Sequence, residues 1–416
     1  MPNQKRDTAL TVGRILLLSL PYAWISIFNS VLDNGLPVIL TAPIEDGGLA
    51  LSYTLKGVVM ALDNILGLFL LPIFGRLSDQ SKNKWGKRTP FILVGGIAAT
   101  GLWAATGLVL GTHIVWLFIT ILTSALAFLA ISRPASLAIL PDFTPLPQRR
   151  FANSLTQVVS IICTAVGIGI IALLTKPGYP YIFYGASAIM LVFVVLYVLF
   201  VHERQWTTDA VRAVQALPEE AAEKKAPKNK KPLILLLLAV FFFYIAYNGL
   251  VSSLSNYAVD FLHLDKNKFI VPQAATLAMA MFAAVPVAKI SAKVKRKLSL
   301  VVGIAVMIGA FILAGVQPTL NARMFASFLL VGAGFSAVIV NLYPYVLELS
   351  DDEKIGEGTG IFNMVMTVAM VLTPVFSGWL ADLWGIATLF PYCIIALVIA
   401  LGFLLLVKEP KDTMQA

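Results

Sequence analysis

Long apolar stretches recur along this sequence, and they constrain its fold more than any other feature. Residues 91–110, 114–131 and 394–407 contain no charged side chain. A helix needs about 20 apolar residues to cross the hydrocarbon core of a membrane. Division of the chain at its polar breaks predicts twelve such helices. Their predicted ranges are 13–41, 51–76, 89–111, 113–140, 151–175, 180–203, 232–262, 268–291, 298–316, 322–348, 356–384 and 386–408.

The composition supports a chain that lies mostly in lipid. Charged residues make up 13% and hydrophobic residues 58% of the 416 positions, whereas soluble domains carry about 25% charged residues. A closed β-barrel is the other structure that spans a membrane, but it would show strict alternation in segments of about ten residues. That alternation is absent. We therefore predict an all-α integral membrane protein, located in the cell membrane.

The basic residues are distributed unevenly, although the net charge of +9 at first suggests a nucleic-acid partner. Most of the 31 lysines and arginines fall on the termini and on alternate loops. Positive loops remain in the cytoplasm, so we predict that both termini are cytoplasmic and that no nucleic acid binds. Lysines and arginines assigned to the outer side are Lys56, Lys176, Lys266, Lys268 and Arg323.

One long polar break divides the predicted helices into six and six. We predict an N-terminal bundle at 1–203, a charged cytoplasmic linker at 204–231 and a C-terminal bundle at 232–416. An internal repeat at an offset of 206 residues aligns Asp142 with Glu348. Duplicated halves are a transporter architecture in which the solute site lies between them.

The loop between predicted helices 2 and 3 carries a charged motif. Residues 75–79 read GRLSD, and residues 86–88 read GKR. We expect the glycine to allow close helix approach and the aspartate to pair with a basic residue, which would form an ionic latch. The alternative is a basic loop that only obeys the charge rule. Residues predicted to form conformational latches are Gly75, Asp79, Lys87, Arg88, Asp142 and Glu348.

This motif resembles the hallmark loop of the major facilitator superfamily. Residues 85–93 (WGKRTPFIL), 132–135 (SRPA), 140–145 (LPDFTP) and 150–153 (RFAN) further resemble the glycoside–pentoside–hexuronide:cation symporters, in particular the branch of sucrose–proton symporters and their bacterial relatives. The resemblance implies two six-helix bundles that import a disaccharide or similar glycoside together with a cation.

The sequence departs from these families at two places, which bear on the coupling ion and on the loop motif of the second half. Sodium-using melibiose permeases carry two aspartates in helix 2, but Gly67 and Leu71 stand at those positions. We therefore expect H⁺ as the coupling ion. The loop motif of the second half is degenerate, because Ala288 and Ala292 replace its glycine and aspartate.

Three charged residues lie near the centres of predicted helices, where a charge normally faces a partner or a cavity. They are Asp33, Asp63 and Arg133, and we predict that they couple transport to a proton. A carboxylate that alternately meets and loses a guanidinium changes its proton affinity. We also expect the first helix to unwind at the Asn34–Gly35 pair. The alternative is a static ion pair that holds helices together.

Amides and aromatic side chains suit a sugar, which presents hydroxyl groups and apolar ring faces. The alternative role for such residues is hydrogen bonding between helices. Residues predicted to bind substrate are Asn29, Tyr244, Asn248, Gln273, Asn341 and Asn363.

These features together favour a monomeric secondary transporter that moves a small sugar by alternating access. A proton-driven exporter of drugs or metabolites on the same scaffold is the alternative. An enzyme is not expected, because the chain has no HExxH helix, GxSxG turn or Walker loop. Membrane lipid is the only other expected partner, and no metal or organic cofactor is predicted.

Overall fold

The structure is a computed structural model that describes residues 11–144, 148–206, 230–265, 268–291, 293–350 and 355–407. This part of the chain is helical, with short connections and no β-strand. The α-helices are α1 Val12–Leu18, α2 Leu20–Asn34, α3 Leu36–Thr41, α4 Tyr53–Gln80, α5 Thr89–Leu110, α6 Val115–Phe143, α7 Arg149–Leu174, α8 Tyr179–Phe200, α9 Glu203–Trp206, α10 Lys230–Asn256, α11 Val271–Ser291, α12 Arg296–Gly315, α13 Ala322–Leu349, α14 Ile355–Trp384 and α15 Leu389–Leu406.

Within the described residues, twelve helical segments are long and apolar enough to cross a membrane, which confirms the predicted fold class. The first segment covers Leu20–Thr41 and contains both α2 and α3. It begins later than predicted because α1 is a separate helix whose N-terminus is capped by Thr11. The other segments start and end within a few residues of the predicted positions.

The described chain separates into two compact units. The first contains residues 11–50 and 62–206, and the second contains residues 51–61 and 230–407. Helix α4 is therefore divided: its first turns belong to the second unit and the remainder to the first. The second unit also has a π-helical turn at Tyr257–Phe261, directly after α10.

Aromatic packing and a proline-linked hydrogen bond stabilise the first unit. The ring of Trp103 lies 4.1 Å from that of Phe28 and 5.0 Å from that of Phe183, measured between centroids. Pro141 lacks an N–H group, so it leaves the carbonyl of Leu137 without its usual helical donor. The hydroxyl of Tyr22 donates to that carbonyl at 3.0 Å and so ties α2 to α6.

The second unit also has a hydrogen bond to a carbonyl freed by a proline, and it has a close contact between two helices. Pro374 frees the carbonyl of Met370 on α14, and Asn248 Nδ2 on α10 donates to it at 3.0 Å. Two glycines bring the start of α4 against α14. A Cβ atom on Gly57 would collide with the backbone of Pro374, and one on Gly378 would collide with the backbone of Tyr53.

Candidate functional site

A charged cluster lies in the first unit where α2, α4 and α6 meet. Arg133 on α6 forms an ion pair with Asp63 on α4, with 3.4 Å between Nη1 and Oδ2. Its Nη2 donates to Asn29 Oδ1 on α2 at 3.0 Å. The side chains of Arg133 and Asp63 are 17% and 15% exposed, so neither charge is fully withdrawn from solvent. The structure thus brings together three of the predicted site residues.

Asp33 completes this cluster without bonding to it. It follows Asn29 by one turn of α2, on the same face, and the charges of both Asp63 and Arg133 act on it. Within the described residues it forms neither a hydrogen bond nor an ion pair. The cluster therefore combines two carboxylates with one guanidinium. Such a set can hold a proton on one carboxylate while the other pairs with the arginine.

The predicted unwinding beside Asp33 does not occur. The helix is interrupted at the single residue Gly35, which keeps a helical conformation and donates its N–H to Val31 O at 2.9 Å. Asp33 is therefore presented by a regular helical turn, because this intrahelical hydrogen bond is retained.

The predicted substrate residues of α10 contact neighbouring helices in the second unit. The ring of Tyr244 lies 6.4 Å from that of Phe362 on α14, and Asn248 bonds to α14 as described above. Tyr244 is buried, whereas Asn248 is half-buried and retains some exposure. This face of α10 is therefore used in part for packing, as the alternative interpretation allowed.

The other predicted substrate residues are separated. Asn341 is buried and donates to Ser291 Oγ at 2.9 Å, which ties α13 to α11. Gln273 is also buried, and its Oε1 has no hydrogen-bond partner among the described residues. Asn363 is exposed. Asn29 lies in the first unit and the other five lie in the second, so no single cluster contains all six.

The latch residues of the first unit form a network around Arg88. Its guanidinium lies 2.5 Å from Asp79 Oδ1 and 2.8 Å from Asp142 Oδ2. Lys87 Nζ lies 3.5 Å from the same Asp142 oxygen. The close approach expected at Gly75 is not observed, because a Cβ atom there would lie at an ordinary distance of 3.8 Å from Pro134.

Glu203 is a member of this network that the sequence did not predict. Its carboxylate accepts from the backbone N–H groups of Lys87, Arg88 and Thr89 at 2.7–3.0 Å and caps the start of α5. Gly86 has a φ of +119°, and a Cβ atom on it would collide with Glu203. The only local signal is that α5 begins without a capping side chain of its own.

The second unit retains one element of this arrangement. Glu348, at the end of α13, lies 3.1 Å from Nε of Arg296, at the start of α12. Asp142 and Glu348, which the repeat aligns, each pair with an arginine at the start of the third long helix of the respective half. The degenerate motif includes Ala288, which is described, and position 292, which lies outside the described residues.

Lys56 is a second residue whose role the sequence did not predict. The charge rule assigns it to the outer side, at the start of the predicted helix 51–76; it lies in the first turn of α4 and is fully buried, which the sequence did not predict. Its Nζ lies 3.2 Å from Ser252 O, Ser253 Oγ and Asn256 Oδ1 on α10. The aliphatic stem of a lysine packs well against apolar helices, and these three acceptors bind its head group.

Two carboxylates hold the residues next to Lys56. Asp382 on α14 accepts from the backbone N–H groups of Tyr53 and Thr54, both at 2.8 Å, and thereby caps α4. Asp260 accepts from the Tyr53 hydroxyl at 2.7 Å. Both carboxylates are exposed. The start of α4 is thus held to the second unit by side chains from α10, α14 and the π-helical turn.

Comparison with known proteins places these features in a family. The sequence profile of the Major Facilitator Superfamily matches residues 22–369 and 284–416. No protein of curated function matches the chain in sequence. Among the described residues, no three His, Cys, Asp or Glu side chains come together as a metal site.

Solved structures share the fold at low sequence identity. A mutant of the peptide transporter POT has a TM-score of 0.73 with 14% identity and covers 94% of each chain. A D-xylose–proton symporter has a TM-score of 0.70 with 14% identity and covers 95% of this chain and 98% of its own. A bacterial homologue of the human lysosomal transporter Spinster has a TM-score of 0.67 with 16% identity and covers 95% and 96%.

These structures establish the fold, and the sequence profile, which spans most of the chain, establishes the family. The protein is a multi-pass membrane protein and a secondary transporter of small molecules rather than an enzyme. This chain belongs to the major facilitator superfamily.

Proposed function

We propose that this protein imports a glycoside, of about disaccharide size, together with protons by alternating access. The observation that supports the coupling is the cluster of the first unit, in which Arg133 pairs with Asp63 while Asp33 lies nearby without a bonded partner among the described residues. A second carboxylate beside a single guanidinium provides a group that can take up and release a proton during each cycle.

The choice of a proton rests on the residues available in the membrane-spanning helices. Gly67 and Leu71 stand where sodium-using relatives have a pair of aspartates. Among solved structures of the same fold, one is a D-xylose–proton symporter, which supports the compatibility of the scaffold with a sugar and a proton. The residues that resemble the sucrose–proton symporters point in the same direction.

The choice of a glycoside rests on the loop motifs and on the polar residues of α10. Sugar sites combine a few placed polar groups with flat aromatic surfaces. Asn248 is half-buried, and Tyr247, which precedes it in the chain, stacks on the ring of Phe335 at 4.1 Å between centroids. Asn248 and Tyr244 are the residues of the second unit that we propose to meet the sugar.

The experiment that tests this function is transport in proteoliposomes. We expect counterflow of at least one labelled glycoside from a panel of sucrose, maltose and related sugars. Uptake of the same sugar should rise when the outside is made acidic relative to the inside. Failure of every glycoside to give counterflow would refute the proposal. Proton-gradient-driven extrusion of hydrophobic compounds would instead support the alternative exporter.

A further inference from the structure

The side chain of Lys56 is the most completely buried cation in the described part of the chain. Its Nζ is bound by Ser252 O, Ser253 Oγ and Asn256 Oδ1, each at 3.2 Å. An ammonium group has three donors and no acceptor. Three donors therefore face three acceptors, and all three acceptors belong to two turns of one helix, α10.

None of these acceptors carries a formal charge. The exposed carboxylates of Asp260 and Asp382 act on Lys56 electrostatically, but within the described residues neither forms an ion pair with it. Both are already bonded to the backbone or hydroxyl groups of Tyr53 and Thr54. A buried charge is tolerated only when it is fully hydrogen-bonded or paired, so the three neutral oxygens hold this one.

The geometry of these oxygens suits an ammonium-type cation. Calcium requires oxygens at about 2.3–2.6 Å and magnesium at about 2.0–2.1 Å, whereas the three oxygens surround a centre at 3.2 Å. The ring of Tyr53 lies 5.5 Å from the same nitrogen and adds a cation–π contact. The π-helical turn follows Asn256 directly, and such turns occur frequently at functional sites.

We propose that Ser252, Ser253 and Asn256 form a binding site for a small ammonium-type cation, and that the Lys56 ammonium is its built-in occupant. A primary amine or ammonium ion from solution then binds there whenever the lysine head group is removed or withdrawn. This site belongs to the second unit, whereas the Asp33–Asp63–Arg133 cluster belongs to the first. The proposal does not depend on the proposed sugar transport.

The site has a consequence for the start of α4. Lys56 contributes three of the hydrogen bonds that hold residues 51–61 to the second unit. A free ammonium-type cation competes with Lys56 for the same oxygens. Binding of that cation therefore weakens the hold of the second unit on this segment.

The test is chemical rescue of Lys56→Met in the purified full-length protein, followed by thermal unfolding. Methionine keeps the apolar stem and removes the ammonium group. Ammonium and methylammonium chloride, with choline chloride to keep the ionic strength constant, should raise the Tm of this variant saturably by at least about 2 °C. Wild-type protein should show no saturable rise, because its site is filled. Sodium and potassium chloride should have smaller effects.

Two further variants make the result specific. Adding Ser253→Ala to Lys56→Met removes one oxygen. The ammonium concentration that gives half of the maximal rise in Tm should then increase by about 3–10-fold. Lys297→Met is the matched control, because Lys297 Nζ also binds backbone carbonyls, those of Leu405 and Val407, but is only half-buried. It should show no response.

Three outcomes would overturn the proposal. The first is an absence of saturable stabilisation of Lys56→Met by any ammonium salt. The second is an equal response in Lys297→Met. The third applies if Lys56→Met cannot be purified in ordinary buffer. Lys56→Met and Lys56→Ala should then be recovered when methylammonium chloride is present during purification. Failure to recover either variant counts against the site.

Discussion

Arg133 and Lys56 are both cations in membrane-spanning helices, but they are stabilised in different ways. Arg133 pairs with the carboxylate of Asp63, has Asp33 nearby and remains 17% exposed. Lys56 is fully buried and is bound by three neutral oxygens of α10. The ion-paired cluster contains acids that can exchange a proton. The neutral cage, formed by the oxygens of Ser252, Ser253 and Asn256, can only hold or release a cation. The difference separates a proposed coupling site from a site of attachment.

The largest effect is expected for Arg133→Met. This change leaves the half-buried Asp63 carboxylate without its cation and removes the only guanidinium of the proposed coupling cluster. We expect gradient-driven uptake to be largely lost. Initial rates in proteoliposomes measure it.

The double variant Arg133→Met with Asp63→Asn sharpens this prediction. With neither charge present, the free energy of unfolding should recover in part, because no unpaired charge remains. Transport should stay low. Recovery of transport to wild-type rates would show that the pair serves only to hold α4 and α6 together.

A smaller effect is expected for Lys56→Met in the absence of ammonium salts. Three buried oxygens each lose one hydrogen bond, and the loss of a hydrogen bond to a charged group costs about 1.5–3 kcal/mol. We expect a lower Tm and faster proteolysis near residue 51. A Tm equal to that of the wild type would show that the neutral cage contributes no net stability.

Glu203→Gln tests the opposite charge in a similar setting. Glu203 is a buried anion bound by three backbone N–H donors, whereas Lys56 is a buried cation bound by three acceptors. Replacement of a capping side chain typically costs about 0.5–2 kcal/mol. We expect a modest fall in Tm that is accompanied by loosening of the loop before α5. Glu45→Gln, at an exposed glutamate, is the control and should leave the Tm unchanged.

The smallest effect is expected for Tyr22→Phe, which removes a hydrogen bond between two neutral groups. Such bonds between membrane helices average about 0.6 kcal/mol, so the Tm should fall slightly and transport should persist. Tyr181→Phe, at an exposed tyrosine, serves as the control. A fall in Tm as large as that of Lys56→Met would mean that a hydrogen bond between neutral groups contributes as much stability as the bonds of a buried ammonium group.

The sequence predicted the parts of this structure that depend on local composition. Apolar length defined eleven of the twelve spans within a few residues, the start of the first being the exception, and the rarity of charge in lipid singled out Asp33, Asp63 and Arg133. The burial of Lys56 was not predicted, because its acceptors lie about 200 positions away in the chain.

Other errors have the same origin in tertiary contacts. Glu203 caps a helix that begins more than 110 positions earlier, and no periodicity connects the two segments. The glycine argument was applied to Gly75, where a Cβ atom would fit, whereas Gly57 and Gly378 are the positions at which backbones meet closely. Asn341 was chosen for its amide, which ties α13 to α11; its contact with substrate stays a prediction.

The central claim is that Asp33 carries the coupling proton while Arg133 remains paired with Asp63. The most direct measurement compares proton-gradient-driven uptake with counterflow of the same glycoside in Asp33→Asn. Uptake against a concentration gradient should be abolished and counterflow should persist, because a neutral amide can neither take up nor release the proton. Uptake against a gradient that survives in this variant would contradict the account.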